Sequence, residues 1–159
     1  RPRPNGVTFT EFFTEIRKKY PEQLFMADTS CFEEGKLALE LGCDLIGTTM
    51  CGYTPYTKGE SIPAFNLIER YSKELSATVI AEGGIWYPEQ LVKAYESGAF
   101  SCVVGTAITR PRDITRRFVN ALKTLDTLLS MITITFHLFL KFPPKQSSEQ
   151  VLYSKRYIR

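Results

Sequence analysis

The chain has 159 residues, 43% of them hydrophobic and 23% charged, which suits one ordinary globular domain with a real core. A net charge of +3, with no basic run longer than three residues, sets nucleic acid aside as the main partner. The four cysteines, Cys31, Cys43, Cys51 and Cys102, have no C-x-x-C spacing, so they predict reduced, intracellular thiols rather than a zinc site or a disulfide framework. The opening Arg1-Pro2-Arg3-Pro4 has no apolar h-region and predicts no signal peptide, hence a cytoplasmic protein. A start inside a Pro-rich turn further predicts that a preceding segment has been lost.

In chain order, Thr8 and Glu11 form a T-x-x-E capping box ahead of Phe9, Phe12, Phe13 and Ile16 at helical spacing. That helix should end near Tyr20-Pro21, because the residue before a proline is pushed out of helical geometry. A first strand is expected over Leu24 to Ala27. A helix from about Phe32 to Leu41 follows, with Leu37 and Leu41 on one face and Gly42 as its C′ residue. The second strand is expected from Leu45 to Thr48, and a polar Gly/Pro/Thr loop from Gly52 to Pro63. A helix carrying Phe65, Ile68 and Leu75 leads to a third strand over Val79 to Ala81. Pro88 suits the first turn of a helix with Leu91 and Tyr95. A fourth strand is expected over Cys102 to Val104, and Pro111 opens a helix with Ile114, Phe118, Val119 and Leu122. That helix runs on to about Leu129. Met131 to Phe136 reads as a strand stopped by Pro143-Pro144, and Lys145 to Gln150 as loop or disorder. The apolar stretch Leu128 to Leu140 is too short to span a membrane.

Short apolar strands alternating with amphipathic helices predict a parallel sheet covered by helices. Four βα units make half of a (β/α)8 TIM barrel, whose usual length is about 250 residues. Function in that fold sits at the C-terminal ends of the strands, where Asp28, Thr48, Glu82 and Gly105 all fall. A weak internal repeat supports the same frame. Each half has an apolar strand ending in an acid (Asp28, Glu82), then a helix, a glycine (Gly42, Gly98), a second strand and a Gly-Thr pair (Gly47-Thr48, Gly105-Thr106).

Two readings fit Glu82 from spacing alone. It is a partly desolvated proton-transfer group, or a structural acid satisfied by backbone N–H groups or a lysine. Asp28 has the same placement, with helix capping as its alternative. Gly83-Gly84 and Gly105-Thr106 are candidates to cradle a phosphate through backbone N–H groups, or are plain tight-turn residues. Arg110 either adds charge for that anion or is simply solvated. Trp86 and Tyr53 line a sugar site or serve packing. His137, the only histidine, stands far from any acid and is given no role.

Taken together, Arg1-Pro2-Arg3-Pro4, MADTS (26–30), ELG (40–42), GTTMCGYT (47–54), IAEGGIWYPEQ (80–90) and VVGTAITRPRDITRRFV (103–119) resemble one family, the N-acetylmannosamine-6-phosphate 2-epimerases of sialic acid catabolism. The resemblance covers residues 1–123 with the motifs in order, and residues 124–159 form a tail outside it. It implies a (β/α)8 barrel that interconverts N-acetylmannosamine 6-phosphate and N-acetylglucosamine 6-phosphate by removing and replacing the C2 proton, with no cofactor and no metal. Residue by residue, it implies that Asp28 holds the sugar and that Glu82 assists ring opening and proton transfer. It places the phosphate cradle on Gly83 or Gly84 and on Gly105 with Thr106. Two departures are plain: Gly84 stands where the family often has arginine, and Cys51 where serine is common. The family's catalytic lysine and a substrate-binding arginine lie on strands earlier than Arg1.

The expected function is therefore that of the C-terminal half of such an epimerase, incomplete and inactive alone. Its partners would be a sugar phosphate, and a second copy or a missing N-terminal half, but neither nucleic acid nor membrane. A second reading is a non-catalytic remnant that binds phosphosugar or a partner chain. A third is another phosphate-binding barrel, such as a thiazole- or indole-forming synthase, against which the ITRP segment (108–111) argues. The tail reads as an extension beyond the family domain, or as a cover for an open barrel or for another copy.

Overall fold

The computed structural model describes residues 6–141, so the Arg1-Pro2-Arg3-Pro4 start and the expected breaks at Pro143-Pro144 and Lys145 to Gln150 lie outside the described residues. The elements, in chain order, are α1 (Phe9–Lys19), β1 (Met26–Asp28), α2 (Phe32–Glu40), β2 (Leu45–Gly47), α3 (Phe65–Leu75), β3 (Val79–Glu82), α4 (Pro88–Glu96), β4 (Ser101–Val103), α5 (Thr106–Thr109) and α6 (Pro111–Lys141). The chain divides into two compact units, one ending at Pro111 and the other starting at Arg112. The first holds the sheet.

Its four strands are all parallel and stand in the order β1-β2-β3-β4. Helix α2 packs on β2, α3 on β3 and α4 on β4, and α3 packs on both α2 and α4. This is α/β architecture built from consecutive βα units, as the alternation of apolar strands and amphipathic helices predicted. Side chains alternate across a strand, so the register sorts the sheet into two faces. Ala27, Ile46, Val79, Ala81 and Cys102 turn toward the helices and join the core with Ile68, Tyr71 and Ala94. Met26, Asp28, Leu45, Gly47, Ile80, Glu82, Ser101 and Val103 share the other face, on which Met26 and Val103 are exposed.

Helix starts follow the local chemistry. Thr8 caps α1, with its hydroxyl accepting from Glu11 N and the Glu11 carboxylate accepting from Thr8 N. Pro88 opens α4, where Gln90 Oε1 accepts from Trp86 N at 2.7 Å and Tyr87 N at 3.1 Å. Gly42, at φ +95°, ends α2 in the left-handed region that glycine enters freely. Before β1, Arg17 reaches Asp44 at 2.6 Å, and Asp44 in turn accepts from Phe25 N. That pairing fixes where β1 begins.

The buried residues of α2 are Gly35 and Ala38, while Leu37 is exposed; the ring of Tyr71 lies across Gly35 and leaves no room there for a larger residue. One expectation fails. The stretch Met131 to Phe136 is not a strand but continues α6. Its β-branched residues cost only a few tenths of a kcal/mol each in a helix, about 0.7 at most. No glycine or proline between Pro111 and Lys141 interrupts propagation from the established helix. The short α5, between β4 and Pro111, had no sequence signal of its own.

Candidate active site

The C-terminal ends of the strands form one rim. Asp28 closes β1, Gly47 closes β2 and Glu82 closes β3. Asp28 pairs in register with Gly47, and Glu82 with Val103, so the two acids flank the end of β2. Thr48 and Thr49 come straight after it.

Thr48 holds the main chain of Glu82 from both sides. Its buried hydroxyl donates to Glu82 O at 2.9 Å and accepts from Glu82 N at 3.1 Å. The last residue of β3 is thereby fixed while its side chain stays available. Thr49 meets both acids: its Oγ1 lies 2.8 Å from Asp28 Oδ1 and 3.2 Å from Glu82 Oε2. Glu82 is half-buried and Asp28 exposed. Gly47 leaves room for that convergence. A Cβ there would sit 3.2 Å from Thr49 Oγ1 and 3.4 Å from Asp28 Oδ1. The capping reading of Asp28 is set aside, since the N-cap of α2 is Cys31 and the Asp28 carboxylate bonds Thr49.

The glycine candidates divide. Gly83 and Gly84 both have positive φ, +104° and +73°. A Cβ on Gly84 would stand 3.1 Å from Ile62 Cβ and 3.2 Å from Pro63 N, so this glycine lets the β2–α3 loop cross the end of β3. A Cβ on Gly83 would come within 4.0 Å of the exposed Tyr53 ring and of Thr48 and Thr49 carbonyls. Gly105 is open, with nothing within 4 Å of its Cβ position. It caps the start of α5, and its carbonyl accepts from Thr109 Oγ1 at 3.1 Å. Thr106 begins that turn and the exposed Arg110 ends it. Gly83-Gly84 and Gly105-Thr106 follow adjacent strands, β3 and β4. Trp86 is half-buried just before α4. All four cysteines are free thiols, each pushed above its ordinary range by burial first of all.

One group that sequence reading left without a role ties together the loops that follow β1 and β2. Glu34, in the first turn of α2, accepts from Ser30 N at 2.7 Å, from Ser30 Oγ at 2.8 Å and from the Tyr56 hydroxyl. Tyr56 belongs to the loop over β2, so this carboxylate ties that loop to α2. The only signal available was an acid four residues after a serine, which does not reveal the distant Tyr56. Burial pushes the Glu34 carboxyl up, but the hydrogen bonds from Tyr56 and Ser30 outweigh it and hold it below the ordinary glutamate range. A depressed folded value means stabilisation that is complete above the unfolded value, about 4.3, and lost as pH falls through the lower folded one. Wild type should therefore lose stability in that acid window more steeply than Tyr56→Phe. Urea midpoints measured across the window check this, and parallel profiles would remove the tie.

The family described as "Putative N-acetylmannosamine-6-phosphate epimerase" matches residues 1–124. A protein from Caldanaerobacter subterraneus subsp. tengcongensis, named "Putative N-acetylmannosamine-6-phosphate 2-epimerase", is 53% identical over 121 residues, covering 76% of this chain and 51% of that protein. One of the same name from Clostridium perfringens (strain SM101 / Type A) is 47% identical over 123 residues, covering 77% and 55%. The solved structure of the N-acetylmannosamine-6-phosphate 2-epimerase from Clostridium perfringens superposes with a TM-score of 0.69 at 46% identity, over 76% of this chain and 52% of that one. The chain spans about half the length of the relatives it matches.

Proposed function

Because the chain belongs to the N-acetylmannosamine-6-phosphate epimerase family, we propose that it forms the C-terminal half of a barrel interconverting N-acetylmannosamine 6-phosphate and N-acetylglucosamine 6-phosphate. The observation that carries this reading is the meeting of Asp28 and Glu82 at Thr49 on the catalytic rim. The reaction moves one proton. Once the sugar ring opens, C1 is an aldehyde and acidifies the proton on C2. A base removes that proton and an acid returns one to the opposite face, with no net oxidation.

Glu82, fixed by its main chain, assists ring opening and exchanges a proton with the substrate. Asp28 accepts hydrogen bonds from sugar hydroxyls. Gly83, Gly84, Gly105 and Thr106 offer backbone N–H groups to the 6-phosphate, and Arg110 adds a positive charge. Inversion needs a second proton-transfer group, the lysine expected on an earlier strand. Tested without that strand, residues 1–159 should therefore be inactive; the complete barrel works in the cytoplasm, in amino-sugar and sialic acid catabolism, as a homo-oligomer or with its N-terminal half supplied. No cofactor takes part.

Co-expression with the N-terminal half of a relative tests this directly. Deuterium from solvent should enter C2 of the phosphosugar in the assembled barrel and not with the chain alone. Gly105→Ala, which adds a methyl group in open space, should weaken phosphosugar binding about tenfold by calorimetry. Full exchange by the isolated chain would refute the need for the other half, and equal affinity of the two proteins would remove the cradle.

A further inference from the structure

The Thr49 hydroxyl has one proton and two carboxylate neighbours. A hydroxyl gives its proton to one acceptor at a time. Asp28 Oδ1, at 2.8 Å, is the nearer acceptor, and Glu82 Oε2 lies 3.2 Å away. With the proton on the Asp28 side, the Glu82 oxygen faces a lone pair of the same hydroxyl. Thr48, next in the chain, spends its hydroxyl on the Glu82 main chain. The two threonines thus divide the work, one fixing the backbone of β3 and the other the side chains on β1 and β3.

We propose that Thr49 is a positioning residue that joins Asp28 and Glu82 into one unit and makes them unequal. The hydroxyl proton satisfies Asp28 and fixes it as the sugar-holding carboxylate. Glu82 keeps the longer contact and is half-exposed, and so is the carboxylate that trades a proton with substrate. The two roles rest on the epimerase reading; the coupling of the two side chains does not.

Thr49→Val keeps the branched shape and removes the hydroxyl, whereas Thr49→Ser keeps the hydroxyl. In the full chain with ¹³C-labelled carboxyl carbons, Thr49→Val should move the Asp28 and Glu82 resonances together, and Thr49→Ser should leave both in place. If the valine variant does not fold, Thr49→Ala makes the same comparison. Movement of only one resonance, or of neither, overturns the proposal, as does a serine variant that behaves like valine. In the assembled barrel, Thr49→Val should lower the C2 exchange rate about tenfold, the scale of one lost hydrogen bond to a charged group, and serine should restore it. Unchanged exchange in Thr49→Val also overturns it. Absence of exchange in the wild-type barrel would sink the epimerase reading, while the carboxyl resonances still decide the role of Thr49.

Discussion

Replacing Glu82 by glutamine in the assembled barrel is expected to slow C2 proton exchange by roughly 10²–10⁴-fold, the usual cost of losing a positioned proton-transfer group. The substitution is well suited to the question. Glutamine has nearly the same shape, and Thr48 holds the main chain of residue 82 through its own N–H and carbonyl rather than through the side chain. The amide can still meet Thr49 but cannot take or give the proton. Deuterium incorporation at C2, followed by NMR in heavy water, gives the rate. Exchange by Glu82→Gln within a few-fold of wild type would mean that another group moves the proton.

Tyr71→Ala is expected to cost about 3–5 kcal/mol of stability, the range for removing a large buried aromatic side chain. Tyr71 is 0% exposed and stacks on Phe32 with ring centroids 6.0 Å apart. Its hydroxyl donates to Cys31 O at 2.6 Å and lies 2.7 Å from Thr29 Oγ1, which itself donates to Gly47 O. One side chain on α3 thus fastens the turn after β1 to the end of β2. Burial pushes its phenol far above the ordinary tyrosine range, so the hydroxyl keeps its proton and its donor role throughout the working pH range. Tyr71→Phe should cost less, about 1–3 kcal/mol, for the polar groups left unpaired. A domain has about 5–15 kcal/mol in total, so the alanine variant should lose a large share of its stability. Denaturant titrations of the three proteins measure the series. A loss below about 1 kcal/mol for Tyr71→Ala would place the core elsewhere.

The parts of this fold that were legible in the sequence are those set by neighbours in the chain. The capping box at Thr8 and Glu11, and the prolines at 88 and 111, mark helix starts because their chemistry is local. Asp28 and Glu82 were legible because parallel strands in sequence order share a rim, so an acid at each strand end reaches the same side. Tyr71 was not, because its importance comes from Gly35 and Thr29, far away in sequence. Thr49 was passed over for a related reason. A second threonine after a strand says nothing until the register places β2 between the two acids. The strand expected at Met131 to Phe136 rested on β-branched propensity, which is too weak to stop a helix already under way.

Gly47 shows where selection would pull this chain in two directions. A glycine within a strand costs about 0.5–1 kcal/mol relative to alanine, so stability alone favours replacing it. The helix-facing core would not resist, because Gly47 lies on the opposite face of the sheet. A methyl group there would instead crowd Thr49 and Asp28. Variants chosen only for thermal endurance would therefore drift toward a fuller strand and a narrower notch between the acids. A lineage in which Asp28 and Glu82 must still meet at Thr49 would keep the gap, and with it a slightly weaker sheet.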